Sequence, residues 1–293
     1  MSETPSGLVY VLALASAVCS AGATIFIRQG LRRYGPYTGY WINLVVGTAL
    51  LWAAVLLVAE PGRPSARGLA LFAAAGLVGT FAGRLLRFVA IEQVGASITA
   101  ALMNLSPLVA SGLAIVLLGE RVTMPILAGT AVIVLGTTLL SSGGRLLGIR
   151  PRQLALPLLS AVCFGVVAIM RKLGLSDTGP ILGYAVNVTA ALVAFTAFLL
   201  ASGQRAAMGC RGASLACFIA AGVTENLSVF LTVVALNLGA VSVVAPLSAV
   251  APIFVLLLSL AFLRGLEALN ARVVLGTLLI VAGVYLITGL PAR

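Results

Sequence analysis

"GPYTGYWINL", residues 35–44, returns as "GPILGYAVNV" at residues 179–188. The skeleton G-P-x-x-G-Y-x-x-N is thus written twice, 144 positions apart, in a chain of 293 residues. The likeness spreads outward from it. Between Ser16–Leu44 and Ser160–Val188, 12 of 29 positions are identical, and both stretches begin "SAVC". In this register Arg28 faces Lys172, and Asn43 faces Asn187. Further on, Ser106-Pro107 matches Ala251-Pro252, while Glu120, Gly129 and Gly136 match Glu267, Gly276 and Gly283. The duplication covers nearly the whole chain.

Composition says what is duplicated. The chain is 61% hydrophobic, only 9% charged, and has no histidine. Soluble domains carry about 25% charged residues. The apolar runs are continuous and close to 20 residues long, the length at which a helix crosses the hydrocarbon core. A β-barrel would need alternating polarity instead. These features predict an all-α integral membrane protein in the lipid bilayer.

Ten apolar segments can be cut, at roughly 7–27, 37–59, 68–91, 96–118, 123–142, 153–171, 180–202, 212–236, 241–263 and 270–290. Each half, 1–150 and 151–293, then holds five helices. Five is odd, so the second half enters the membrane from the opposite side. The fold expected is ten transmembrane helices as two inverted five-helix repeats forming one transport domain, and inverted repeats are a mark of secondary transporters. The first segment follows Glu3 with no basic residue, so it is expected to stay as a helix and not to act as a leader.

The net charge of +11 reads as membrane-flank anchoring and not as nucleic-acid binding, because most Arg residues stand between apolar runs. Counted by side, the face bearing the N-terminus collects six Arg/Lys, Arg171 and Lys172 among them, against ten on the other. The positive-inside rule would put both termini outside. The four cysteines, without histidines or a C-x-x-C, give no metal site and read as small apolar residues, with Cys210–Cys217 pairing a remote option.

The chain resembles the EamA-type branch of the drug/metabolite transporter superfamily. The resemblance rests on the five-plus-five layout, "SP" in the fourth segment, "LLGERVTMPILAGTAVIVLG" across the fourth and fifth, and its weaker mate "FLRGLEALNARVVLGTLLIVAG". The mate departs from the pattern with Arg264-Gly265 ahead of Glu267. The resemblance implies a ten-helix carrier in the cell inner membrane, cytoplasmic termini, and a central cavity between helices of both halves. It also implies export of metabolites or amino acids.

No G-x-S-x-G, P-loop or H-E-x-x-H is present, which points away from an enzyme and from any cofactor or metal. The informative residues are charges inside apolar runs. Arg84 and Arg87 lie in "GTFAGRLLRFVAIEQ" and Glu225 in "AAGVTENLSVF", on segments that are repeat mates. Charges at such depth are expensive and usually functional or paired. Two readings fit: a neutralising ion pair between Arg84 and Glu225, or a grip on the two ends of a zwitterion. Arg87 would snorkel or pair with Glu92. Glu225 is the only deep acid and so the candidate for proton coupling.

Ser16, Ser20 and Thr24 make a polar stripe, and Asn104 and Asn226 add amides; substrate contact by Ser20, Asn104 and Asn226 is the functional reading. Pro107, Pro246 and Pro252 are expected inside helices four and nine as bends or gates. Gly79, Gly83, Gly129, Gly136, Gly276 and Gly283 are expected to serve packing. The Tyr of the repeated motif is expected near an interface, and the motif itself to carry no substrate chemistry. The function expected is secondary export of small polar metabolites. The alternatives are an organic-anion exchanger using Arg84 and Arg87, and a non-transporting scaffold or receptor.

Overall fold

A computed structural model of the chain describes residues 7–31, 33–58, 64–94, 102–141, 151–262 and 271–288. For Arg28, Phe88, 91–94, 140–141, 151–153, Pro252, Leu256, 259–262, 271–273 and Thr288 it describes the backbone alone. The expected side-chain roles of Arg28, Glu92 and Glu267 therefore lie outside what is described.

All the regular structure in the described residues is helical. It comprises α1 (Gly7–Gly30), α2 (Pro36–Leu57), α3 (Ala66–Ala75, then Gly76–Gly83, then Arg84–Val94), α4 (Ser106–Leu118) and α5 (Met124–Ser141). The second half supplies α6 (Pro151–Gly174), α7 (Pro180–Ala201), α8 (Ala213–Leu238), α9 (Val241–Ser248 and Ala251–Phe262) and α10 (Ala271–Thr288). A 3₁₀ turn, Arg205–Met208, lies between α7 and α8. Six helices, α1, α2, α3, α6, α7 and α8, are long and apolar enough to cross a membrane. The others carry shorter apolar stretches, Ser106–Leu118, Met124–Leu139, Val241–Val255 and Val274–Ile287.

The repeated motif starts α2 and α7. Gly35 and Gly179 are extended N-caps, and Pro36 and Pro180 occupy the first turn, where a missing N–H costs nothing. Elsewhere proline acts differently from expectation. Pro107 and Pro252 do not bend continuous helices. Each stands in the first turn of a helix, after turns at Asn104-Leu105 and Ala249-Val250. The chain breaks ahead of the ring, because only the first turn tolerates proline without losing a helical hydrogen bond. Pro246 does lie inside a helix, Val241–Ser248.

The halves pack as mates. α1 lies on α8 as α6 lies on α3; α2 on α8 as α7 on α3; and α1 on α9 as α6 on α4. Three further pairs, α2–α7, α4–α9 and α5–α10, join a helix to its own mate. Two of these are demonstrably antiparallel. Trp41 and Trp52 of α2 donate to Thr196 and Thr189 of α7, in reversed order, at 3.1 and 2.9 Å. On α5 and α10, a Cβ on Gly129 would come within 2.8 Å of the Gly283 carbonyl, and one on Gly136 within 2.7 Å of the Gly276 carbonyl. Only glycine permits that approach, as the packing expectation required.

Another pair of contacts repeats across the halves. Phe72 of α3 is wholly buried between Gly174 and Gly183, at the α6–α7 corner. Its counterpart Phe218 of α8 is buried between Gly30 and Gly39, at the α1–α2 corner. Gly39 and Gly183 are the second glycines of the repeated motif. The outer surface is apolar, with Leu56, Leu57, Val116 and Met124 among its most exposed residues, as lipid contact demands.

Candidate functional site

The centre is built on the π-helical turn of α3. There the Arg84 N–H reaches back five residues to the Gly79 carbonyl. Such turns are rare and often mark functional positions. Arg84 leaves the end of this turn and meets Glu225 of α8, Nη2 to Oε1 at 3.1 Å. The pair is not sealed: the two side chains keep 16% and 20% of their exposure. Arg84 also lies 5.5 Å over the Tyr40 ring, whose hydroxyl donates to the Thr80 carbonyl. A guanidinium over an aromatic face is an attractive cation–π geometry.

A second cation faces the same turn. Arg171 of α6 donates from Nη2 to Asn187 Oδ1 at 3.1 Å and approaches Thr80 Oγ1 at 3.5 Å. Its Cζ is 5.5 Å over the Tyr184 ring. Thr80 donates to Asn187 at 3.2 Å, and Asn187 donates to the Phe72 carbonyl at 3.1 Å. Around α8 the pattern recurs: Tyr184 donates to Asn226 Oδ1 at 3.0 Å, and Asn226 Nδ2 donates to the Asn43 and Gly222 carbonyls at 3.1 and 2.7 Å.

Tyr40 and Tyr184 are thus buried against neighbouring helices, 5% and 2% exposed. The repeated motif contributes its Tyr and Asn to this network of internal contacts. Arg171 was counted as a headgroup anchor. Instead its guanidinium turns inward, since a ring, an amide and a hydroxyl of the opposite wall receive it. Its mate is Ile27, so the repeat offered no signal for it.

The other expected site residues are less concentrated. Arg87 is exposed on α3, close enough to Glu225 to interact with it electrostatically. Asn226 adjoins Glu225 in sequence but spends its amide on α2 and α7. Ser20 is half-buried on α1 and, among the described residues, makes no side-chain bond to Arg84 or Glu225. Asn104 sits in the turn before α4. Ser16 is buried and joins three helices: its hydroxyl meets Ser248 Oγ at 3.2 Å, and its carbonyl accepts from Ser228 at 2.7 Å. The four cysteines are free thiols.

A separate polar clasp closes the side that bears the N-terminus. Glu120, from the α4–α5 loop, accepts from the Val241 N–H at 2.8 Å. Its other oxygen accepts from the Ser242 N–H and hydroxyl at 3.1 and 2.7 Å. A carboxylate from the first half thereby caps a helix of the second, where unpaired N–H groups and the helix dipole favour negative charge. Lys172 Nζ donates to the Leu236 and Gly239 carbonyls at the end of α8, at 2.6 and 2.8 Å. It is an internal C-cap, not the headgroup anchor it was taken for.

Apolar helices in two like halves, with charges from both meeting at the centre, define a multi-pass membrane protein of duplicated build. No curated protein matches the chain in sequence. Among solved structures, one crystal structure is similar over 97% of this chain and 97% of its own, with a TM-score of 0.78 at 19% identity, a likeness of fold. The chain belongs to the EamA-like transporter family, whose model matches residues 7–142 and again 153–289.

Proposed function

We propose that the protein is a secondary active exporter of small polar metabolites, amino acids or related zwitterions, working by alternating access around a site between α3 and α8. Arg84 takes the substrate carboxylate and Glu225 its ammonium group. The observation that carries this reading is the Arg84–Glu225 contact: one charge from each half, inside membrane-length helices and still partly exposed. Each partner holds the other's place while the site is empty, and a zwitterion satisfies both when it enters. A planar guanidinium suits a carboxylate because its N–H groups match both oxygens.

The halves, 1–150 and 151–293, act as inverted five-helix repeats. The antiparallel mates α2–α7 and α5–α10 support that relation. The turn before α4 and the break within α9, matched across the halves, are the points about which the outer parts swing. Glu225 is also the proton-coupling group, since protonation would release Arg84. Transport that ignores an imposed pH gradient would remove that role.

The test is substrate binding and uptake with Arg84→Ala and Glu225→Gln protein in vesicles. Loss of affinity for zwitterions in both supports the reading; unchanged affinity in both ends it. Organic-anion exchange is the second reading. It is favoured by Arg87, which has no carboxylate within salt-bridge distance among the described side chains.

A further inference from the structure

We propose that Arg171, together with Tyr184, Thr80 and Asn187, forms a second anion subsite that takes an oxyanion carried on the substrate's side chain. This rests on the central-site reading and narrows it to acidic substrates.

The starting point is charge. The described carboxylate side chains are those of Glu120, Asp177 and Glu225, and each is committed. Glu225 holds Arg84. Glu120 caps α9. Asp177 accepts from Ser176 in the turn after α6, at 3.0 Å. None of them lies within salt-bridge distance of Arg171.

Geometry adds to this. A guanidinium presents five N–H donors in a fixed plane. Arg171 spends one good hydrogen bond on Asn187, while its Nε is buried with no partner. The face of the group is supported by Tyr184, which orients it without neutralising it. A cation held in place within the apolar span, incompletely bonded and with no counter-ion among the described side chains, is costly unless an anion visits it. Arg84 shows the alternative, a cation neutralised by a carboxylate of the protein itself.

The two cations flank one turn. Arg171 approaches the Thr80 hydroxyl, and the Thr80 carbonyl accepts from Tyr40, the ring beneath Arg84. Thr80 and Arg84 are four residues apart, at most about 6 Å along the axis, since a π-helical turn rises less per residue than an α-helix. A second acid group, a few carbons from an α-carboxylate, spans that separation. The shared chemistry is an oxyanion, carboxylate or phosphate, on a compact zwitterion.

The test is direct binding to the purified full chain. The probes are L-alanine, L-glutamate, O-phospho-L-serine and succinate, on wild type, Arg171→Gln and Arg171→Lys. Wild type should bind L-glutamate about 10- to 100-fold more tightly than L-alanine, the range expected for hydrogen bonds to a charged group. Arg171→Gln should bring that ratio to about one while leaving L-alanine affinity in place, a pattern that general loss of structure cannot produce. Arg171→Lys keeps the charge without the planar fork, so an intermediate ratio is expected; it serves if the Gln variant does not fold.

Tighter binding of O-phospho-L-serine than of L-glutamate would identify phosphate as the preferred oxyanion; the reverse would identify carboxylate. Equal affinity of wild type for L-alanine and L-glutamate, or a preference that survives in Arg171→Gln, overturns the subsite and leaves the zwitterion reading standing. Succinate binding that depends on Arg171, without L-alanine binding, keeps the subsite and removes the zwitterion reading. No binding of any probe counts against both.

Discussion

Glu120 is where a single side chain ties the two halves together, and its removal has a calculable effect. Glu120→Ala deletes three hydrogen bonds, to the Val241 N–H, the Ser242 N–H and the Ser242 hydroxyl. Hydrogen bonds to a charged group contribute about 1.5–3 kcal/mol each, net of exchange with water. They do not add here, because one carboxylate makes all three and the space left by its removal admits water to the buried helix start. Loss of a helix N-cap by itself costs about 0.5–2 kcal/mol, and loss of a favourable charge at the dipole about 0.3–1 kcal/mol more. A combined weakening of about 2–4 kcal/mol follows, between the cap and dipole terms alone and the sum of three independent bonds.

At 1.4 kcal/mol per factor of ten, amide exchange through opening of the α9 start should accelerate about 30- to 700-fold. Hydrogen exchange of the peptide spanning residues 237–244, in purified protein, reads this directly. Glu120→Gln should fall between, since its amide keeps one acceptor oxygen and loses the charge. Spin labels on the α4–α5 and α8–α9 loops supply the second measurement, with a broadened distance distribution expected in Glu120→Ala. Protection within about threefold of wild type would refute the reasoning, which uses a threshold of roughly 0.6 kcal/mol.

Three further outcomes are expected. Glu225→Gln strands Arg84 and should cost about 3 kcal/mol of stability, the low end for a broken buried pair because this one is partly solvated, with the Arg84→Gln/Glu225→Gln double variant recovering most of it in thermal unfolding. Gly129→Leu drives a side chain into the Gly283 backbone and should destabilise by about 1–3 kcal/mol or more, whereas Gly22→Ala, with open space at its Cβ, should be silent in the same assay. If the termini are cytoplasmic, as the family resemblance implies, a C-terminal fluorescent-protein fusion should shine and an alkaline-phosphatase fusion stay inactive. The reverse result would favour the count of flanking charges, which becomes four against ten once Arg171 and Lys172 are recognised as internal.

What the sequence disclosed was set by how locally each feature is encoded. Helix positions came from polar punctuation between apolar runs, so the cuts at 180–202 and 212–236 lie close to Pro180–Ala201 and Ala213–Leu238. The Arg84–Glu225 contact was legible because a charge deep in an apolar run has few tolerable fates, and pairing was one of the two foreseen. Arg171 was not legible. It stands at the end of an apolar run, where an anchoring role is the default, and only the α3 and α7 walls turn it inward. The stacking of Arg84 on Tyr40 and of Arg171 on Tyr184 was not legible either, because a Tyr in the first turns of a spanning helix gives no sign of which neighbour will cover it. The breaks before Pro107 and Pro252 needed backbone geometry, since a proline in an apolar run signals a bend and a fresh start equally well. Glu120 was legible as part of a loop signature but not as a cap, because its partner lies 121 residues away.

Phe72 and Phe218 have one more consequence. Each ring rests in a cup of two glycines, and glycine offers a neighbour bare backbone with no ridges. Interlocked side chains resist sliding, because every step along the surface forces new rotamers. A flat ring in a smooth cup resists separation but offers little friction to rolling. The two corners are thus matching contacts of the two halves, each built on bare backbone. Adding a single methyl group to any of the four glycines would bring it within 3 Å of the ring and push the two helices apart at that corner.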